Sequence, residues 1–191
     1  LAVELVAADR RPSTFLGPGS FRNAIVALAA IGGSTNGVVH LLALAGRLGI
    51  DLTLQDFDRI GSGVPLLVDL QPAGRHLMDD FHRAGGLRAV LREVADLLDP
   101  DARTVTGRPL VEHLEGAELV DPEVIRSRDR PLQEAAGIAV LRGNLCPDGA
   151  VIKPAAASPG LLRHRGRAVV FDSVEDLHAR LDDPALEVDE T

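Results

Sequence analysis

Residues 24–42 read Ala24-Ile25-Val26-Ala27-Leu28-Ala29-Ala30-Ile31-Gly32-Gly33-Ser34-Thr35-Asn36-Gly37-Val38-Val39-His40-Leu41-Leu42. An apolar run ends at Ile31, a glycine pair breaks it, and a short polar stretch leads into a second apolar run. The second run carries Val38, Leu41, Leu42, Ala45 and Leu48 at the i, i+3, i+4 spacing of one helix face. Ser20 is placed to cap the first helix, and Ser34 or Thr35 the second. Both helices are apolar on most sides, so both are expected to be buried.

The flanks extend this reading. Residues 1–10 read as the end of a helix, followed by a loop carrying Pro12, Gly17, Pro18 and Gly19. Thr53 with Asp56 predicts a capping box opening a short helix that ends at Gly61. Residues 64–70 are a brief apolar run, more strand than helix. Residues 75–84 predict a helix ended by Gly85-Gly86. Leu87, Val90, Leu91, Val94 and Leu97 then mark an amphipathic helix stopped by Asp99-Pro100. Beyond residue 102, Pro109, Pro122, Pro131 and the charged stretch 126–130 read as a winding connection. Residues 138–141 then lead through a turn-rich stretch, with Asp148-Gly149 as its turn signal, to a strand at 150–152. Residues 167–171 predict another strand, and Ser173 with Asp176 caps a helix over 174–181. The expected class is α/β, with domains 1–130 and 131–191.

The 191 residues suffice for one large domain or two small ones, with 46% hydrophobic and 25% charged residues. Aromatics are 3%, with no Trp or Tyr, so the core must be aliphatic. The formal charge is −8, and no basic cluster interleaves with aromatics, which argues against nucleic-acid binding. No apolar run approaches a membrane span, and no signal-peptide pattern opens the chain. One cysteine excludes an internal disulfide framework and fits a reduced, cytoplasmic setting. The chain opens at Leu1, with Leu5 and Val6 continuing a helix stripe, and its last residues, 186–190, look like the approach to a further element. These read as the ends of an internal piece, the alternative being a trimmed complete domain.

Each candidate site residue carries two readings. Gly32 to Asn36 offers close backbone approach and N–H groups at a helix start, which suit a carboxylate; it is equally a capped helix junction. Lys153, the single lysine, could bind a carboxylate or act as a base, or it is an exposed strand-end residue. Cys146 sits in a turn and, being single, cannot hold an iron–sulfur cluster or structural zinc, so an incidental thiol is the simpler reading. His40 reads as a core histidine. The histidines have no metal-ligand spacing, and Asp79-Asp80 beside His76 reads as a solvated face. Spacing alone identifies no active site.

Several segments together resemble one family. Residues 21–26, the run through Gly32-Gly33-Ser34-Thr35-Asn36, and Val38 to Leu42 look like the GGSTN segment of the dihydroxy-acid and phosphogluconate dehydratases. Residues 76–86, ending Ala84-Gly85-Gly86, are similar to that family's helix ending in AGG. Residues 137–145 and 147–153 resemble the opening strands of its second domain. Residues 70–74 and 166–171 look more like the sugar-acid branch, which dehydrates aldonates such as arabinonate or xylonate. Gly37 departs from the larger residue usual after GGSTN, which would loosen that helix start.

The resemblance implies the end of an α/β sandwich domain followed by the start of a β-rich, barrel-like domain. It implies a hydro-lyase converting a 2,3-dihydroxy sugar acid to a 2-keto-3-deoxy acid, with an iron–sulfur cluster and Mg2+ whose ligands are not in this chain. The alternatives are a dihydroxy-acid dehydratase of branched-chain amino-acid synthesis and a non-catalytic scaffold or binding module. No catalytic residue carries over, so the chain alone is expected to be inactive. Ser34, Thr35, Asn36 and Lys153 carry over as substrate-binding positions, and a homo-oligomer is expected of the full-length protein.

Overall fold

Helix α2 (Pro18–Ala30) faces two ways, and its two faces organise the computed structural model. Residues 2–135 and 137–186 are described. They form two compact units, one ending at Ala156 and one beginning at Ala157. In the first unit, Val26, Ala29 and Ala30 of α2 join a cluster with Val64, Leu67, Val90, Val94 and Ile125. Ile25, one position away on the helix, points into a second cluster with Val38, Phe57 and Ile138. Both clusters are almost wholly aliphatic.

The other helices of this unit are α1 (Ala2–Ala7), α3 (Asn36–Arg47), α4 (Leu54–Gly61), α5 (Met78–Arg83) and α6 (Gly86–Glu93). A two-residue loop joins strands β1 (Ala139–Gly143) and β2 (Cys146–Ile152) into an antiparallel hairpin. The class is thus mixed helix and sheet. The hairpin is the only sheet among the described residues.

Residues 64–69 are buried throughout, and their backbone groups are satisfied from two sides. Leu67 N–H donates to Ala30 O at 2.8 Å, the free carbonyl at the end of α2. Leu66 N–H donates to Gln133 O, Asp69 N–H to Val124 O, and Arg126 N–H to Leu67 O. The segment is extended, as its sequence predicts, but it pairs through isolated bridges with the proline-rich connection rather than inside a sheet.

Several expectations change. α3 buries only Val38 and Ala45, and Val39, Leu44 and His40 are exposed. One face of this helix has no neighbour in the unit, so its apolar residues are not all core and His40 is not a core histidine. α2 begins at Pro18, and Ser20 acts from its first turn by accepting the Gly17 N–H at 3.3 Å. Thr53 and Asp56 form the predicted capping box, with Asp56 accepting from Thr53 N–H (2.9 Å) and from Thr53 Oγ1 (3.0 Å). The helix expected from residue 75 starts at Met78, because residues 69–76 close into a loop instead.

The hairpin turn falls at Asn144-Leu145, not at Asp148-Gly149. Pro147, Asp148 and Gly149 lie in β2, where the register shifts opposite Arg142 and Gly149 takes φ +107°. That is a bulge, and glycine suits its positive φ. Cys146 accordingly opens β2 rather than lying in the turn.

In the second unit, α7 (Val174–Arg180) starts as expected, with Ser173 Oγ accepting the Asp176 N–H at 3.1 Å. Residues 167–171 form no strand, having no ladder partner. Phe171 instead lies under the Arg180 guanidinium, 5.0 Å from its ring centre. Leu1 of the predicted opening stripe, and 187–190 of the predicted approach to a further element, lie outside the described residues.

Leu67 is fully buried at the meeting of α2 with the 124–133 connection. Leu67→Ala is expected to lower unfolding stability by about 3 kcal/mol, read from urea denaturation midpoints. A loss under ~1 kcal/mol would show that this segment is not central to the core.

Candidate functional site

The glycine pair sets the site. Gly32 has φ +58°, and a Cβ there would lie 2.7 Å from Leu66 Cδ1. A Cβ on Gly37 would lie 2.8 Å from Leu28 Cδ1. Leu28 therefore fills the space a larger residue 37 would need, and the helix start stays closely packed. This turn, the loop 70–72 and the end of β2 enclose a cleft of about 560 Å³. Ser34 and Thr35 line it beside Lys153 and Gln71, and its apolar wall includes Leu28, Ile31, Leu70 and Met78.

Ser34, Thr35 and Lys153 thus come together. Asn36 is exposed and does not line the cleft. The helix-start N–H groups are occupied locally: Asn36 N–H donates to Ser34 Oγ (3.2 Å), Gly37 N–H to Ser34 O, and Val38 N–H to Thr35 O. Attraction for an anion in the cleft therefore falls to Lys153.

Lys153 follows β2 directly, with its Cε and Nζ against Gly32, where a Cβ would stand 3.6 and 3.8 Å from them. Burial holds its amine below the ordinary value of 10.5. It makes no ion pair among the described residues. A half-buried ammonium without a counter-charge is costly, and a bound carboxylate would offset that cost.

The loop beside it is braced by residues the sequence reading did not single out. Asp69 is buried and accepts from Arg75 N–H at 2.9 Å and from Arg75 Nε at 2.6 Å. Gly74 N–H donates to Leu70 O, His76 N–H to Asp69 O, and Gln71 N–H to His76 O. A Cβ on Gly74 would stand 2.5 Å from both Asp69 C and Leu70 N, so only glycine fits there. An acid closing an apolar run, with arginine six residues on, was the available signal.

The described residues contain no group of three His, Cys, Asp or Glu able to hold a metal ion. Cys146 is a single half-buried thiol. The residues present therefore do not fit an iron–sulfur or magnesium centre.

The braced turn, the cleft and Lys153 lie together in the first unit. The chain belongs to the dihydroxy-acid/6-phosphogluconate dehydratase family: residues 1–113 match its N-terminal model and residues 123–191 its C-terminal model. It is 53% identical to the L-arabonate dehydratase of Azospirillum brasilense over 93% of this chain and 31% of that protein. With the L-arabinonate dehydratase of Rhizobium leguminosarum bv. trifolii it shares 49% over 98% of this chain and 33% of the relative. With the dihydroxy-acid dehydratase of Acetivibrio thermocellus it shares 49% over 90% and 31%. The chain spans about a third of the length of these curated relatives.

Burial pushes the Asp69 carboxyl up, but hydrogen bonds and charge from Arg75, with His76 nearby, outweigh it, so the group lies below its ordinary 3.8. Such a group stabilises the fold fully above pH 3.8 and loses that contribution as pH falls through the folded value. Asp69→Asn is expected to cost about 1–2 kcal/mol at pH 7, because solvent screens the exposed Arg75 side. It should also flatten the fall in stability below pH 3.8. Urea unfolding at pH 7 and pH 3 checks this, and an unchanged acid limb would count against it.

Proposed function

We propose that this chain is scaffold and pocket wall of a hydro-lyase that dehydrates a 2,3-dihydroxy sugar acid to a 2-keto-3-deoxy acid, and that alone it is inactive. The observation carrying this is Lys153, a half-buried cation with no ion pair among the described residues, lining one cleft with Ser34 and Thr35. Relatives named for L-arabonate and L-arabinonate support the sugar-acid reading. Loss of the C2 proton beside a carboxylate drives negative charge onto the carboxylate oxygens. A fixed cation lowers that cost, and in this reading the Lys153 ammonium supplies it. Ser34 and Thr35 hydroxyls, with the Gln71 amide, can meet the substrate's hydroxyl groups. Asn36 buttresses the helix start from outside the cleft.

The iron–sulfur cluster and Mg2+ belong to the intact protein, with ligands outside this chain. The domain division at 130/131 and a barrel-like continuation are part of the same proposal, supported by the change from the N-terminal to the C-terminal family model between residues 113 and 123. So are a cytoplasmic setting and a homo-oligomer; the exposed apolar residues of α3 suit a further contact.

A second substrate reading rests on the cleft's apolar wall, Leu28, Ile31, Leu70 and Met78, which suits a branched aliphatic dihydroxy acid. A relative named dihydroxy-acid dehydratase shares that support. Keto-acid formation from arabinonate, xylonate and 2,3-dihydroxy-3-methylbutanoate by the intact protein decides between them, with an aldonate expected to give the highest kcat/KM. The 191-residue chain alone is expected to give no turnover with iron and magnesium added. In the intact protein, Lys153→Met should raise aldonate KM roughly tenfold to a hundredfold. An unchanged KM would remove Lys153 from the site.

A further inference from the structure

Lys153 and Asp69 line the same small cavity, about 40 Å³ in size, together with Gly32. An ammonium and a carboxylate that share a cavity wall are candidates to pair, since their attraction there exceeds that in bulk water. Yet the two do not pair. The Asp69 carboxylate is already occupied at both oxygens, Oδ1 by the Arg75 N–H and Oδ2 by Arg75 Nε. The Arg75 guanidinium is held from the other side by Glu123, 3.6 Å from Nη2. Gly74 lets the chain fold back tightly enough for one residue to supply both donors.

We propose that Arg75 is a positioning residue for the cleft: by engaging the Asp69 carboxylate it prevents Asp69 from neutralising Lys153, leaving the ammonium for a carboxylate ligand. This rests on the reading of the cleft as an aldonate site. The arrangement is an electrostatic division of labour. One cation is spent on the internal acid, so a second remains unpaired at the cavity wall. Were Arg75 only a brace for the loop, its loss would loosen residues 70–74 whatever the charge on residue 69.

Lys153 is the single lysine of these 191 residues, so a labelled peptide from this stretch reports on it alone. The test is competitive labelling with acetic anhydride in the intact protein, read by mass spectrometry on the peptide containing Lys153. Arg75→Gln removes the guanidinium but keeps the backbone donor. Pairing with the freed Asp69 should then raise the amine's proton affinity and slow Lys153 labelling about tenfold at mildly alkaline pH, the effect of one pKa unit. KM for L-arabinonate should rise in parallel, with a smaller change in kcat. The double variant Asp69→Asn with Arg75→Gln removes the competing acid, and both labelling and KM should return towards wild type.

A double variant as impaired as Arg75→Gln alone would overturn the proposal and leave Arg75 a brace. Unchanged labelling in Arg75→Gln would overturn it as well. Arg75→Met gives the same comparison should Arg75→Gln fail to fold. If the labelling pattern holds while Lys153→Met leaves KM unchanged, the insulation of Lys153 stands and it is the aldonate reading of the cleft that fails.

Discussion

Residues 64–69 run buried through the middle of the first unit, and their backbone polar groups cannot reach water. Every N–H and C=O in such a segment needs a protein partner, or each orphan costs on the order of 1–3 kcal/mol. Much of this demand is met by the Ala30 carbonyl of α2 on one side and residues 124–133 on the other. The consequences spread outward. α2 must end at Ala30 so that its carbonyl is free to accept from Leu67. The glycine pair must turn the chain away without side chains, because Leu66 and Leu28 already occupy the space. The proline-rich connection, irregular as it is, becomes core, with Ile125 fully buried.

The parts governed by local chemistry are legible in the sequence. The apolar periods of α2 and α6, the breaks at Gly32-Gly33 and Asp99-Pro100, and the Ser173 cap all follow from side-chain spacing and capping. The parts governed by a distant partner are not. Asp148-Gly149 has the local signature of a hairpin turn, but the ladder between residues 139–141 and 150–152 fixes the register and leaves that dipeptide in a bulge. Residues 167–171 have strand composition and no strand to pair with. His40 sits in an apolar helix, yet which face of that helix is covered depends on neighbours that periodicity cannot name.

The candidate site divides along the same line. Ser34, Thr35 and Lys153 can be chosen from sequence because a glycine-flanked helix start and a single lysine stand out. That they share one cleft cannot, since the hairpin carries Lys153 back over more than a hundred residues of chain. The Asp69–Arg75 contact is missed for a different reason. Acid and base six residues apart look like ordinary surface charge, and only the tight loop closed by Gly74 brings them into a part-buried pair.

That pair also bears on why a half-buried lysine is tolerated at all. A buried ammonium is normally retained by pairing it or lost by deprotonation. Lys153 does neither completely: its Cε and Nζ rest against the bare backbone at Gly32, and the cleft opening leaves it partly hydrated. An internal partner would make it more stable and less available. The fold instead assigns Asp69 to Arg75, whose guanidinium reaches solvent and is cheaper to keep charged. Stability forgone at Lys153 is available affinity for whatever anion enters, since the cost of its incomplete solvation is present before binding and relieved by it.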